Sequence, residues 1–130
     1  MQEKLIFPKP DKLNNLKTGR EGETVAKSYL INKGYKIIDE NYQTKYAEID
    51  LVAYFKQTLI FVEVRAKVGE KFGTPEDSIN RNKKLKLLKN ARAYVGWKRY
   101  RGRYRIDAVC IVFDESGDLK RINHYEDIFF

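Results

Sequence analysis

Only one cysteine, Cys110, and one histidine, His124, occur among the 130 residues. A disulfide within the chain is therefore excluded, and neither a zinc cluster nor a redox Cys-x-x-Cys pair can be built. Cys110 alternates with Ala108 and Val112 and reads as a core residue. His124 has no partner at metal-ligand spacing and reads as structural. No apolar run approaches the ~20 residues of a membrane span. The opening ten residues offer only Leu5-Ile6-Phe7, too short for a signal-peptide core. These absences point to a soluble chain, off the membrane, in a reducing cytoplasm.

The most informative absence is acid. Between Ser78 and Ile106 there is no Asp or Glu, whereas Arg81, Lys83, Lys84, Lys86, Lys89, Arg92, Lys98, Arg99, Arg101, Arg103 and Arg105 are all basic. Tyr94, Trp97, Tyr100 and Tyr104 stand among them. The whole chain has 26 Lys and Arg against 18 Asp and Glu, a net charge of +8, which calls for an anionic partner. Cationic side chains neutralise phosphates, and aromatic faces stack on unpaired bases. The bland alternative is a solvated helix face followed by a basic loop, but such faces ordinarily mix both signs. Nucleic acid is the expected partner.

Hydrophobic residues make up 42% of the chain, enough for one domain with a core of its own. Residues 1–17, with Pro8 and Pro10 and no clear periodicity, read as an N-terminal arm, and 18–130 as the domain. Thr18 and Glu21 have capping-box spacing for a helix running to Lys33, with Val25, Ala26, Tyr29 and Leu30 as its apolar stripe and Gly34 as its stop. Tyr35 to Asp39 reads as a short strand. Tyr46–Phe55 and Thr58–Val64 read as a hairpin around Lys56-Gln57, which lacks the glycine that tight primed turns prefer. A loop with Gly73 and Pro75 precedes a second helix, Ser78–Val95, with Leu87, Leu88, Ala91, Tyr94 and Val95 inward and Lys86, Lys89 and Arg92 outward. After a basic connector, Tyr100–Arg103, come strands Tyr104–Phe113 and Leu119–Tyr125. This order predicts a single α/β domain, a mixed sheet with helices packed against it.

The hairpin carries the chemistry. If it is centred between Lys56 and Gln57, paired residues sum to 113, so Asp50 faces Glu63 and Glu48 faces Arg65. Opposed carboxylates repel across a strand pair. A shared proton, a cationic neighbour or a divalent metal would offset that cost, and two carboxylates with a backbone carbonyl and waters suit Mg²⁺. A solvated surface ladder is the competing reading. Glu23 borders the buried face of the first helix, either as a further member of the site or as an acid favoured by the helix dipole near an N-terminus.

Gly22-Glu23-x-x-Ala26, Gly34-Tyr35, Asn41, Glu48-Ile49-Asp50-Leu51-Val52-Ala53, Phe61-Val62-Glu63-Val64-Arg65 and Arg105-Ile106-Asp107 occur in that order. Over about residues 19 to 125 this pattern resembles the YraN-like family of small uncharacterised proteins. That family belongs to the restriction-endonuclease-like, PD-(D/E)xK nuclease superfamily and has a core similar to archaeal Holliday-junction resolvases. The resemblance implies a restriction-endonuclease-like mixed β-sheet flanked by helices and a Mg²⁺ (or Mn²⁺) site on Asp50 and Glu63. It implies Glu23 as an additional acid and Lys83 as a phosphate contact. Two positions depart from the pattern: Arg65 stands in place of the usual lysine, and Ala47 in place of glycine. Arginine stays protonated and holds charge but cannot act as a base, so Lys67 or Lys83 is left to take the lysine's part.

The expected activity is metal-dependent hydrolysis of phosphodiesters in DNA, branched or single-stranded. The alternative is a binding module on a nuclease fold that has lost turnover. Lys67, Lys83, Lys86, Lys89, Arg92, Arg99, Arg101 and Arg103 would carry the backbone. Tyr100 and Trp97 would stack on a base or else belong to the core. Arg105 and Asp107 share a strand face and are expected to pair, and Phe129 and Phe130 either close the core or form an apolar tail. Monomer and homodimer both stay open.

Overall fold

The computed structural model describes residues 10–129, the side chains of 10–14 excepted. In chain order it contains α1 (Pro10–Asn32), β1 (Lys36–Gln43), β2 (Glu48–Phe55), β3 (Thr58–Val68), a 3-10 turn (Pro75–Ser78), α2 (Arg81–Lys98), β4 (Arg103–Phe113) and β5 (Leu119–Tyr125). The five strands form one sheet in the order β1-β2-β3-β4-β5. All neighbours are antiparallel except β3 and β4, whose parallel pairing requires the long crossover that α2 supplies. This is the expected α/β domain, a mixed sheet flanked by helices in the manner of restriction endonucleases.

Alternation along the strands divides the core into two layers. Leu51, Ala53, Ile60, Val62, Val64, Val109 and Ile111 pack with Ala26 and Leu30 of α1. Val52, Leu59, Phe61 and Ile106 pack with Leu87, Ala91 and Tyr94 of α2. Even-numbered residues of β3 thus meet α1, and odd-numbered ones meet α2, which assigns Glu63, Arg65 and Lys67 to the α2 face. The apolar stripes expected on both helices face the sheet, buried at Ala26, Leu30, Leu87, Ala91 and Tyr94 and partly buried at Val25, Tyr29, Leu88 and Val95, and Cys110 is wholly enclosed.

The hairpin register is the expected one from Leu51–Val62 to Phe55–Thr58, but the ladder stops short of the expected Asp50–Glu63 and Glu48–Arg65 pairs, and Glu48 pairs only with Gln43 of β1. Without a glycine, the turn places both Lys56 (φ 48°) and Gln57 (φ 63°) in the left-handed region that a primed turn requires. Gly34 (φ 97°) ends α1 as expected, with Tyr35 N–H donating to Leu30 O at 3.0 Å.

Several boundaries differ from expectation, among them the start of β2 at Glu48, the end of β3 at Val68 and the end of α2 at Lys98. α1 begins at Pro10, so residues 10–17 are helical and not an irregular arm; residues 1–9, like Phe130, lie outside the described residues. Thr18 is no cap but a buried residue one turn before Gly22, extending the stripe Thr18-Gly22-Ala26-Leu30. α2 starts at Arg81 because the 3-10 turn takes up Pro75–Ser78, and Asn80 caps the helix by accepting from Lys83 N–H at 2.9 Å. β1 runs on to Gln43. It is an edge strand, largely exposed and with a bulge after Ile37, so it has little alternating apolar pattern to read.

α1 approaches β3 closely at Gly22, where an added Cβ would stand 2.6 Å from the Ala66 Cβ. Gly22→Ala gains roughly 1 kcal/mol of helix propensity but overpacks this crossing. A net loss of about 1–3 kcal/mol, read as a lower urea midpoint, is expected. An unchanged midpoint would show that α1 rides outward at a cost no greater than the helix propensity gained.

Candidate metal and nucleic-acid site

The ladder between β2 and β3 ends at Leu51 and Val62, whereas β3 stays paired with β4 as far as Val68. Asp50 and Glu63 are the next residues on either side of that fork. Asp50 Oδ2 accepts from Val64 N–H at 2.9 Å, so its carboxylate occupies the place a ladder hydrogen bond would have taken. Glu63 is 4% exposed. Arg65 Nε lies 3.2 Å and Lys83 Nζ 3.3 Å from Glu63 Oε2. The Arg65 Nε is buried without a hydrogen-bond partner, close enough for attraction but misdirected for a bond.

Burial and then the charge of Glu63 push the Asp50 carboxyl up to about 7. The Val64 N–H opposes the shift, and the charge of Glu23 adds to it. Glu63 therefore has two cations at hand, while Asp50 has a single N–H. Two adjacent carboxylates offer only oxygen donors, the ligand type that a hard divalent ion prefers. Among the described residues, no three His, Cys, Asp or Glu side chains are arranged to hold a metal.

Glu23 lies in the middle of α1, so the dipole of a helix N-terminus does not account for it. Instead it accepts from Asn41 Nδ2 at 3.0 Å, and the same nitrogen lies 3.4 Å from Glu48 Oε1. Asn41 adopts φ 48°, a conformation that Asn tolerates better than most residues, and it tethers both acids beside the fork. A lone asparagine interrupting a strand was the available signal for this role.

Lys86, Lys89 and Arg92 line the exposed side of α2, which leads away from Lys83. The Lys67 Nζ lies toward the loop at Gly73. Arg99, Arg101 and Arg103 are exposed at the opposite end of the sheet, where Arg103 pairs with Thr58. That is five residues along β3 from Glu63, about 16 Å at ~3.3 Å per residue. Tyr100 packs against the α2-side core and donates to Arg103 O at 2.7 Å, whereas Trp97 is 79% exposed. Asp107 is fully buried on the other face, accepting from Arg105, His124 and the Asp127 N–H, and these hold its carboxyl below the usual range against burial. The expected Arg105–Asp107 pair is thus present, and His124 is part of its frame.

Asp50 has a consequence for stability. Its folded pKa lies above the ordinary carboxylate value near 4, so the unfolded chain ionises first as pH rises. Stability is then lost as pH climbs from about 4 to about 7 in the metal-free protein, by roughly 1–3 kcal/mol after allowance for partial exposure. Asp50→Asn should flatten that part of the stability–pH curve in urea titrations with EDTA. An unaltered slope would place its source elsewhere.

The model of the "Uncharacterised protein family UPF0102" matches residues 22–111. A UPF0102 protein of Caldanaerobacter subterraneus subsp. tengcongensis is 36% identical over 121 residues, covering 91% of this chain and 98% of that one. Another, from Pelotomaculum thermopropionicum, is 39% identical over 112 residues, covering 85% and 93%. The matched span contains Glu23, Asn41, Asp50, Glu63, Arg65 and Lys83 together. The chain belongs to the UPF0102 family.

Proposed function

We propose that this protein is a Mg²⁺- or Mn²⁺-dependent endonuclease that hydrolyses phosphodiester bonds in DNA. The observation that carries the reading is the Asp50–Glu63 pair at the β2–β3 fork, with Lys83 reaching Glu63 from the start of an acid-free helix. Asp50 and Glu63 would hold the ion. When bound, it would make water a better nucleophile and offset charge building on the phosphate. Lys83 and Arg65, both beside Glu63, would steady the anionic phosphate, and Lys83 would supply the amine that the ExK position lacks. Exposed cations along α2 would hold the flanking backbone.

A binding module without turnover is the second reading, favoured by one observation. Glu63 already lies within 3.3 Å of two cationic groups, so its charge is offset before any metal arrives.

A cleavage screen on linear, nicked, single-stranded and four-way DNA with Mg²⁺ or Mn²⁺ separates the two. The parent should cut at least one substrate, and Asp50→Asn or Glu63→Gln should abolish cutting while DNA binding in EDTA survives. Mg²⁺ should raise the parent's melting temperature by mass action and have little effect on Asp50→Asn. A parent that binds DNA and Mg²⁺ yet cuts none of these substrates would establish the binding module.

The backbone contacts have their own signature. DNA affinity should fall steeply with salt, and replacing Lys86, Lys89 and Arg92 by alanine should flatten the log–log slope by ~0.9 for each lost phosphate contact on duplex. An unchanged slope would mean that this helix face meets only solvent.

A further inference from the structure

A groove of about 880 Å³ opens between Tyr42–Tyr46, the end of β1 and the turn that follows it, and the exposed side of α2. Among the described residues, no acidic side chain lines it. Tyr46 is 50% exposed on one side, and Trp97 is 79% exposed on the other. Lys89 and Lys45 place their amines 5.4 and 5.3 Å from the Tyr46 ring centroid, and Arg92 stands on the same wall. Thr44 is hydrogen-bonded to the buried Asn90 of α2, and its hydroxyl also accepts from the N–H groups of Tyr46 and Ala47. The segment is therefore fastened to the helix, and the groove exists before any ligand arrives. Its position is equally telling, because Tyr46 lies only four residues before Asp50.

We infer that this groove receives an unpaired nucleotide, its base stacked on Tyr46 or Trp97 and its phosphate held by Lys89, Lys45 and Arg92. The inference rests on the nucleic-acid reading above and adds a preference for single-stranded over fully paired substrate. Large apolar rings half or more open to water stabilise a flat apolar ligand, and amines lying over one of them, free to swing to a phosphate, select one that is also anionic. A single nucleotide combines the two properties, and the groove is of ordinary size for such a ligand. In a duplex both base faces are already stacked, so a paired substrate would gain only the charge contacts. An acidic peptide would likewise use the cations and leave the rings with little to hold.

Trp97 is the only tryptophan, so its fluorescence reports on this groove alone. The full chain is titrated in EDTA, which keeps cleavage out of the measurement, with a short oligothymidylate, its abasic counterpart of equal length and charge, and a duplex. Oligothymidylate should quench Trp97, and Tyr46→Ala should weaken its binding by roughly 5- to 100-fold, the effect of one stacked base. Duplex binding by Tyr46→Ala should stay close to the parent's. Circular dichroism and thermal melting confirm that the variant is folded, as expected for a change at a half-exposed side chain. Equal quenching and affinity for the abasic strand would show that the groove reads charge only and would overturn the inference, leaving the nuclease reading intact. Oligothymidylate binding with neither Trp97 quenching nor sensitivity to Tyr46→Ala would overturn it in the same way. A parent that binds neither oligothymidylate nor duplex would remove both readings together.

Discussion

β3 is hydrogen-bonded to β4 along its whole length but to β2 only as far as Val62, and the candidate site depends on this inequality. Had the β2–β3 ladder continued, Asp50 and Glu63 would form an ordinary cross-strand pair of like charges, a destabilising arrangement on any sheet. Because the strands part, Asp50 instead turns its carboxylate to the Val64 N–H. The parallel partner β4 keeps β3 straight through the parting and fixes where Glu63 and Arg65 stand. The long crossover demanded by that parallel pairing is α2, whose first turn brings Lys83 to Glu63. One topological choice thus supplies the fork, the scaffold behind it and a cation in front of it.

The charges around the fork are unevenly shared. Glu63 has two cationic neighbours, Glu23 and Glu48 share one amide, and Asp50 has one backbone N–H. A second buried acid in the same sheet shows the contrast. Asp107 faces α1, is wholly enclosed, and is surrounded by donors from Arg105, His124 and the Asp127 backbone. Its carboxyl is held low, whereas that of Asp50 is held high. Asp107 is satisfied from within the chain. Asp50 is an acid whose charge the described residues leave largely uncompensated, and that property distinguishes a ligand-ready site from a structural ion pair.

Much of this was legible from residue order, for reasons that differ from element to element. The hairpin register followed from the two-residue spacing at Lys56-Gln57, and a slip of one residue would have turned Asp50 or Glu63 to the other face. Both helix stripes were readable because the buried residues recur at helical spacing. The start of α1 was not, because Thr18 and Glu21 mimic a capping box within a helix that has already run for two turns. The misplaced start also lent Glu23 a dipole rationale, which disappears once the residue stands mid-helix. Asn41 and Asn90 escaped notice as fasteners because a single amide carries no periodic signal. Their partners, Glu23, Glu48 and Thr44, lie 7 to 46 residues away.

The acid-free stretch is where sequence and structure illuminate each other most. Leu87, Ala91 and Tyr94 commit one side of α2 to the core, so the helix cannot turn to hide its cations. Lys83, Lys86, Lys89 and Arg92 fall on the remaining sides, along a rod that rises ~1.5 Å per residue. Mutual repulsion along such a rod, with no Asp or Glu at helical spacing to relieve it, costs stability at every turn. That cost is borne on a segment that the core already anchors firmly. A helix whose only task was to cover the sheet could carry Glu at Lys86 or Lys89 and gain stability from i,i+3 pairing with the cations on either side. Its uniform sign, aligned from the carboxylate fork towards the exposed ring of Trp97, makes physical sense when the compensating negative charge belongs to a ligand.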